Sequence, residues 1–277
     1  MVTIKELENG FEYIEIKNDS AKANIALQGA HIFHFARNSE EPLLWLSKTS
    51  DFKIGTAIRG GVPICWPSFG VNNPDLPQHG FARLGMWKLE NSEEIDANTT
   101  QITLVLNDTQ ESLGMWNYKF ELELKITISD KLTMELTTMN LDEKPFKLTQ
   151  ALHTYFQISN ISNIAIKGLS GKPYLDALTN KECKQNGDII FTQEVDCVYQ
   201  EVDNAILLAD KNRTITIQNE GSSSVVVWNP WIEKCKRMSA MENEAYKEFV
   251  CIESANAYDD FKILLPQEAH TLKAIIY

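Results

Sequence analysis

Apolar and polar residues alternate with period two along most of this chain. The clearest run is 120–128, where Phe120, Leu122, Leu124, Ile126 and Ile128 face one way and Glu121, Glu123, Lys125 and Thr127 the other. A strand with one face in a core produces that pattern. Leu132, Met134 and Leu136 resume it after the turn-like Ser129-Asp130-Lys131, which predicts a hairpin. Ala21, Ala23, Ile25 and Leu27 alternate in the same way with Lys22, Asn24 and Ala26. Further strands are expected over 11–16, 102–106, 164–166, 205–208, 214–218, 225–228, 261–265 and 271–276. Helical periodicity is nearly absent; 242–249 has room for two turns and 111–115 for one. Many short strands with Gly, Asn and Asp between them predict an all-β, antiparallel sandwich or barrel. No linker rich in Pro, Gly or Ser and no fixed-period repeat divides the chain, so 1–277 reads as a single domain.

Residues 57–83, AIRGGVPICWPSFGVNNPDLPQHGFAR, break the alternation. Gly60 and Gly61 beside Arg59 let backbone come close to whatever the guanidinium holds. Pro63, Pro67, Pro74 and Pro77 stiffen the run, and Ile58, Val62, Ile64, Trp66, Phe69 and Phe81 give it much to bury. A long irregular segment of this kind is expected to form a rigid pocket wall for a small polar ligand.

The net charge of −12 argues against nucleic acid as a partner. It leaves room for a small anion, because local arginines outweigh a diffuse acidic surface at hydrogen-bonding range. The N-terminus, MVTIKELENG, has no secretory pattern, and no apolar run has the length of a membrane helix. The five cysteines are scattered, odd in number and without a CxxC pair. Reduced thiols in a cytoplasmic protein are therefore expected, rather than disulfides or a zinc site. No metal or other cofactor is expected, and a monomer is the default.

Several polar residues interrupt apolar runs. In LTQALHTYFQI, His153 is either a core histidine bonded to backbone or an imidazole presented into a pocket for proton donation. Glu253 in VCIESANA is either a strand-end surface residue or a pocket acid, and Asp196 in VDCVY poses the same choice. His31 and His34 read as structural, and His270 as exposed. Trp228 and Trp231 suit a core or a sugar face; Lys234, Lys236 and Arg237 suit a solvated face or a phosphate. No GxSxG, P-loop or dinucleotide fingerprint is present, so acyl transfer, NTP chemistry and a Rossmann cofactor lack support.

Taken together, GAHIFHF with PLLWLS (29–47), IRGGVPICWPSFG (58–70), LPQHGFAR (76–83), ALHTYF (151–156), GLSGKPYLD (168–176), VDCVY (195–199), VVVWNPWIEKCKRM (225–238) and VCIE (250–253) resemble the aldose 1-epimerase (mutarotase) superfamily. Within it they look like the hexose-6-phosphate mutarotases, also called glucose-6-phosphate 1-epimerases; IRGG and QHGFAR favour that branch over the free-galactose one. The resemblance implies a β-supersandwich acting on a small-molecule hexose phosphate, with no cofactor or metal. It implies Glu253 as general base, His153 as general acid, and Arg59, Gln78, Arg83 and Asp196 as substrate-binding residues. His79 would contact substrate or brace Arg83. Acid and base are expected on opposite sides of the hemiacetal. Unphosphorylated aldoses as substrates, or a sugar-phosphate-binding module without turnover, are the alternatives.

Overall fold

Leu124, Leu136 and Leu272 lie directly opposite one another on three neighbouring strands, and all three are buried. This row illustrates how alternation builds the core: one face of each strand leaves water, and cross-strand partners pack there. The computed structural model describes residues 1–71 and 73–277. Among these, one eight-stranded antiparallel sheet runs Ala165–Lys167, Ile206–Ala209, Thr214–Glu220, Ala269–Ile276, Leu132–Asn140, Phe120–Ile128, Thr99–Asn107 and Lys88–Asp96. The hairpin at Ser129-Asp130-Lys131 is present, with Ile128 paired to Leu132.

A second eight-stranded sheet carries the site. Its order is Lys181–Lys184, Pro173–Asp176, Val195–Tyr199, Ser224–Asn229, Phe249–Asn256, Gln150–Leu152 and Ile64–Cys65, with Tyr155–Gln157 also paired to Phe249–Asn256. Ser224–Asn229 and Phe249–Asn256 are buried on both faces. Val225, Val227 and Ile252 join the main core, while Val226, Val198, Ala151 and Ala255 cluster on the opposite face. The small side chains on that second face leave space above the sheet.

Val2–Glu6, Glu12–Lys17, Ala21–Ala26 and His31–Arg37 form a third, four-stranded sheet, and Phe146–Leu148 pairs with Lys262–Leu264. The alternation read over 21–27 is interrupted. Ala21, Ala23 and Ile25 share the main core as expected, but Ala26 is buried as well, in a separate cluster with Phe11, Phe33 and Ile58, and Leu27 is half-buried. The extra residue is Phe33 on the neighbouring strand, where Asn24 pairs with His34 and Ile25 with Ile32, a local bulge.

Helix placement also departs from expectation. The turn expected over 111–115 is present as the helix Gln110–Met115, capped by Thr109, but 242–249 holds only the short 3-10 turn Ala245–Lys247. Asn229 explains this by donating to the Tyr246 and Phe249 carbonyls, which ties that segment to the sheet. The second α-helix is Trp231–Arg237, opened by Pro230, with the Trp231 amide donating to Asn229 Oδ1. Proline at its start and cations in its last turn are ordinary helix signals, hidden by its short length.

Candidate active site

The 57–83 run is docked as a wall, through its backbone. Gly61 donates to Trp45 O and Val62 to Ile32 O; Trp66 donates to His79 O, and its indole to Thr138 Oγ1 at 2.9 Å. A Cβ on Gly61 would lie 2.3 Å from Ile32 O, and one on Gly80 would lie 2.0 Å from Trp66 O. Both glycines also adopt positive φ, so no larger residue fits the approach. His31 Nε2 donates to Gly60 O at 2.8 Å and is buried, which makes it the structural histidine expected. His270 is not exposed: it is half-buried, with Nε2 3.0 Å from Asn256 Oδ1.

Strand register brings the two proton-transfer candidates together. Leu152 pairs with Ser254 and Tyr155 with Cys251, so the break between those short strands sets His153 opposite Glu253. Glu253 sits mid-strand, not at a strand end, and is 1% exposed; His153 is 8% exposed. His153 Nε2 lies 3.2 Å from Glu253 Oε1. The two therefore stand side by side, not across a hemiacetal from each other. Contact suits the chemistry, because the C1 hydroxyl and ring oxygen share one carbon.

A cavity of about 370 Å³ opens above this pair, and it is lined by all seven residues singled out from the sequence: Arg59, Gln78, His79, Arg83, His153, Asp196 and Glu253. Recesses of about 490 and 520 Å³ lie elsewhere but lack a buried acid and base in contact. Four of the residues that line the cavity each carry a buried polar atom with no hydrogen-bond partner: Arg59 Nε, Arg83 Nε, His153 Nδ1 and Glu253 Oε2. Such atoms are costly unless a ligand satisfies them. Arg83 is oriented by donating from Nη2 to Gln78 O at 2.6 Å.

Electrostatics follow from burial. It pushes Glu253 well above the usual carboxylate range, aided by Asp196, and His153 well below the usual imidazole range, aided by His79, Arg83 and Arg59. Coupled this closely, the two titrate as one unit that holds a single proton between them. His79 is lowered to about 3 by burial, then by Arg83 and Arg59, and accepts from the Gly70 amide at Nδ1. Asp196 is raised by burial, an effect Lys234 opposes.

Further residues line the cavity. Tyr155 stacks on His153 at 4.9 Å, and Trp228, for which a core and a sugar face were both open, meets it edge-on at 5.9 Å. Lys234 lines the cavity, whereas Lys236 turns to Glu233 and Arg237 to the Glu233 carbonyl. Neither Lys236 nor Arg237 reaches the site. Among the described residues one cluster has metal-ligand types, with His153, Cys251 and Glu253 atoms within 4.8 Å of one another. Burial pushes the Cys251 thiol well up and keeps its proton in place, which does not fit a donor set for a cation.

The aldose 1-epimerase family model matches residues 12–277. The chain belongs to the aldose 1-epimerase family. Relatives with the name "Putative glucose-6-phosphate 1-epimerase" include one from Cenchrus ciliaris, 37% identical over 245 residues, covering 84% of this chain and 74% of that protein. Another, from Escherichia coli K12, is 34% identical over 271 residues and covers 95% and 90%. The crystal structure of a "putative mutarotase (YeaD)" from Salmonella typhimurium superposes with a TM-score of 0.92 at 32% identity, covering 99% and 92%. A galactose mutarotase related enzyme from Lactobacillus acidophilus, at 16% identity and TM-score 0.76 over 95% and 96%, shares the fold. This aldose 1-epimerase family member therefore has the mutarotase fold, as the motifs imply.

Proposed function

We propose that this chain interconverts the α and β anomers of hexose 6-phosphates, as a glucose-6-phosphate 1-epimerase. The observation that carries the reading is a cavity floored by a touching imidazole and carboxyl and lined by two arginines, Arg59 and Arg83. Glu253 takes the C1 hydroxyl proton while His153 delivers one to the ring oxygen, and the C1–O5 bond breaks to an aldehyde. Rotation about C1–C2 and reclosure return both protons. The pair thus passes from carboxylate–imidazolium to the neutral form, which burial favours. Each positioned transfer contributes about 10²–10⁴-fold. Arg59 and Arg83 present planar forks to the phosphate, whose charge favours the imidazolium, and Asp196 accepts from sugar hydroxyls. A phosphate held far from C1 keeps the open chain in place.

Two arginines lining the cavity favour the phosphosugar over free aldoses, and a contacting acid and base favour turnover over mere binding. The same reading takes 1–277 as one domain, a cytoplasmic monomer needing no cofactor. A core cluster running from Ile14 to Ile276 supports the single domain, and five free cysteines fit a reducing compartment. NMR magnetisation transfer between α- and β-glucose 6-phosphate is the test. Glu253→Gln should abolish exchange, and Arg59→Ala should lower kcat/KM for glucose 6-phosphate but not for glucose. Normal exchange by Glu253→Gln overturns the base assignment; equal efficiency of the wild type on both sugars overturns the substrate class.

A further inference from the structure

Asp196 lies opposite Trp228 on the neighbouring strand, and Trp228 lies opposite Cys251 on the next. Glu253 follows Cys251 by two residues, so Asp196, Trp228 and Glu253 share one face of the sheet, and all three line the catalytic cavity. Lys234 reaches the same cavity from outside the sheet, on the Trp231–Arg237 helix. Its Nζ stands 3.6 Å from Asp196 Oδ2, 2.9 Å from Glu194 Oε1 and 5.8 Å from the centre of the Trp228 ring. Two carboxylates and an aromatic face thus hold a long side chain in one place.

Among the described residues, Lys234 is the only cation within ion-pair distance of Asp196. The carboxylates around Asp196 oppose its charge: Glu194 beside it and Asp176 on the neighbouring strand both raise it, and Asp196 in turn raises Glu253. The phenol of Tyr258 and the thiols of Cys197 and Cys251 also feel its charge, and Arg59, Arg83, His79 and His153 line the same cavity. Burial acts against the carboxylate too, and Lys234 is the group that offsets it. Without that ammonium, burial and the neighbouring carboxylates all favour a protonated Asp196, which lacks the charge that makes it a strong acceptor.

We propose that Lys234 is a positioning residue for substrate: its ammonium fixes the Asp196 carboxylate at the cavity wall as the acceptor for a sugar hydroxyl. The inference rests on the hexose-phosphate reading above, in which Asp196 takes that role. An ammonium already shared between two carboxylates is not free to serve the phosphate, which separates Lys234 from Arg59 and Arg83. Lys234 acts through Asp196 and not on the reacting atoms.

Anomer exchange on glucose 6-phosphate across the pH profile tests this for the wild type, Lys234→Met, Lys234→Gln, Lys234→Arg and Lys236→Met. Asp196→Asn is measured with and without Lys234→Met, and circular dichroism establishes folding. Both neutral variants at Lys234 should lower kcat/KM by about tenfold on the acid side, the worth of a hydrogen bond to a charged group, and carry that limb to higher pH. Lys234→Arg should restore the limb, and Lys236→Met should leave it in place. In the Asp196→Asn background Lys234→Met should change nothing further, because the two side chains act as one unit. An unchanged profile overturns the proposal. So does a pH-independent loss that persists in Asp196→Asn, which would put Lys234 on the phosphate instead. Carboxyl-carbon NMR, with Asp196 assigned from Asp196→Asn, reads the same coupling without turnover: Asp196 should titrate at higher pH in Lys234→Met. If the wild type exchanges no hexose phosphate, the proposed activity fails, and this titration still decides the role of Lys234; an unmoved Asp196 overturns it.

Discussion

At Glu253 and His153, burial sets both the proton transfer and a dependence of stability on pH. The folded pair holds one proton, with Glu253 raised and His153 lowered. Below the ordinary carboxylate value of 4.5 the unfolded chain binds two protons at these sites, so the pair's contribution falls as pH drops. Above the ordinary imidazole value of 6.5 the unfolded chain binds none, so it falls again as pH rises. Measured against His153→Gln/Glu253→Gln, wild-type melting temperature should be most favourable between these values and decline relatively on both sides. A difference that is flat in pH contradicts the shared proton. Arg83 supports a second prediction at this scale. Its Nη2 is spent on Gln78 O while the rest of the planar guanidinium lines the cavity, a division lysine cannot reproduce. Arg83→Lys should raise KM for glucose 6-phosphate by about 10–100-fold, the worth of one charged hydrogen bond, with a smaller change in kcat.

The 57–83 run behaves as an element despite its irregularity. Its short strand Ile64–Cys65 forms the edge of the site sheet, and a parallel bridge joins Trp66 to Gly80. Gly80 lies between Gln78, His79 and Arg83 and has no room for a methyl group. Gly80→Ala should destabilise the protein by about 2 kcal/mol or more, from strain and clash together, as read from urea midpoints. It should also weaken glucose 6-phosphate binding, because the displaced backbone carries the arginine. A stable variant with undiminished affinity would show that the loop tolerates rearrangement. The Trp231–Arg237 helix makes the complementary point. It is short and placed by the Asn229 side chain, yet it supplies the only lysine lining the catalytic cavity among the described residues.

Across the whole molecule, the eight-stranded sheet away from the site supplies rigidity and no chemistry. Leu136, between Leu124 and Leu272, is fully buried. Leu136→Ala should cost about 2–5 kcal/mol by thermal or denaturant unfolding, while kcat per folded molecule below the transition stays near the wild-type value. A proportionate loss of kcat would show that the far sheet holds the site geometry as well. The sequence alone determined much here. Alternation over 120–136 determined strands and hairpin, because side-chain direction in a strand is a local property with period two. The motif blocks that resemble the aldose 1-epimerase family singled out seven residues that all line the cavity, because such blocks can be matched without coordinates. Tertiary structure decided the rest. It placed His153 in contact with Glu253, set Lys234 against the catalytic cavity, half-buried His270 and moved the helix from 242–249 to Trp231–Arg237. These depend on register between strands distant in sequence, and register is chosen by which faces the whole core can bury together.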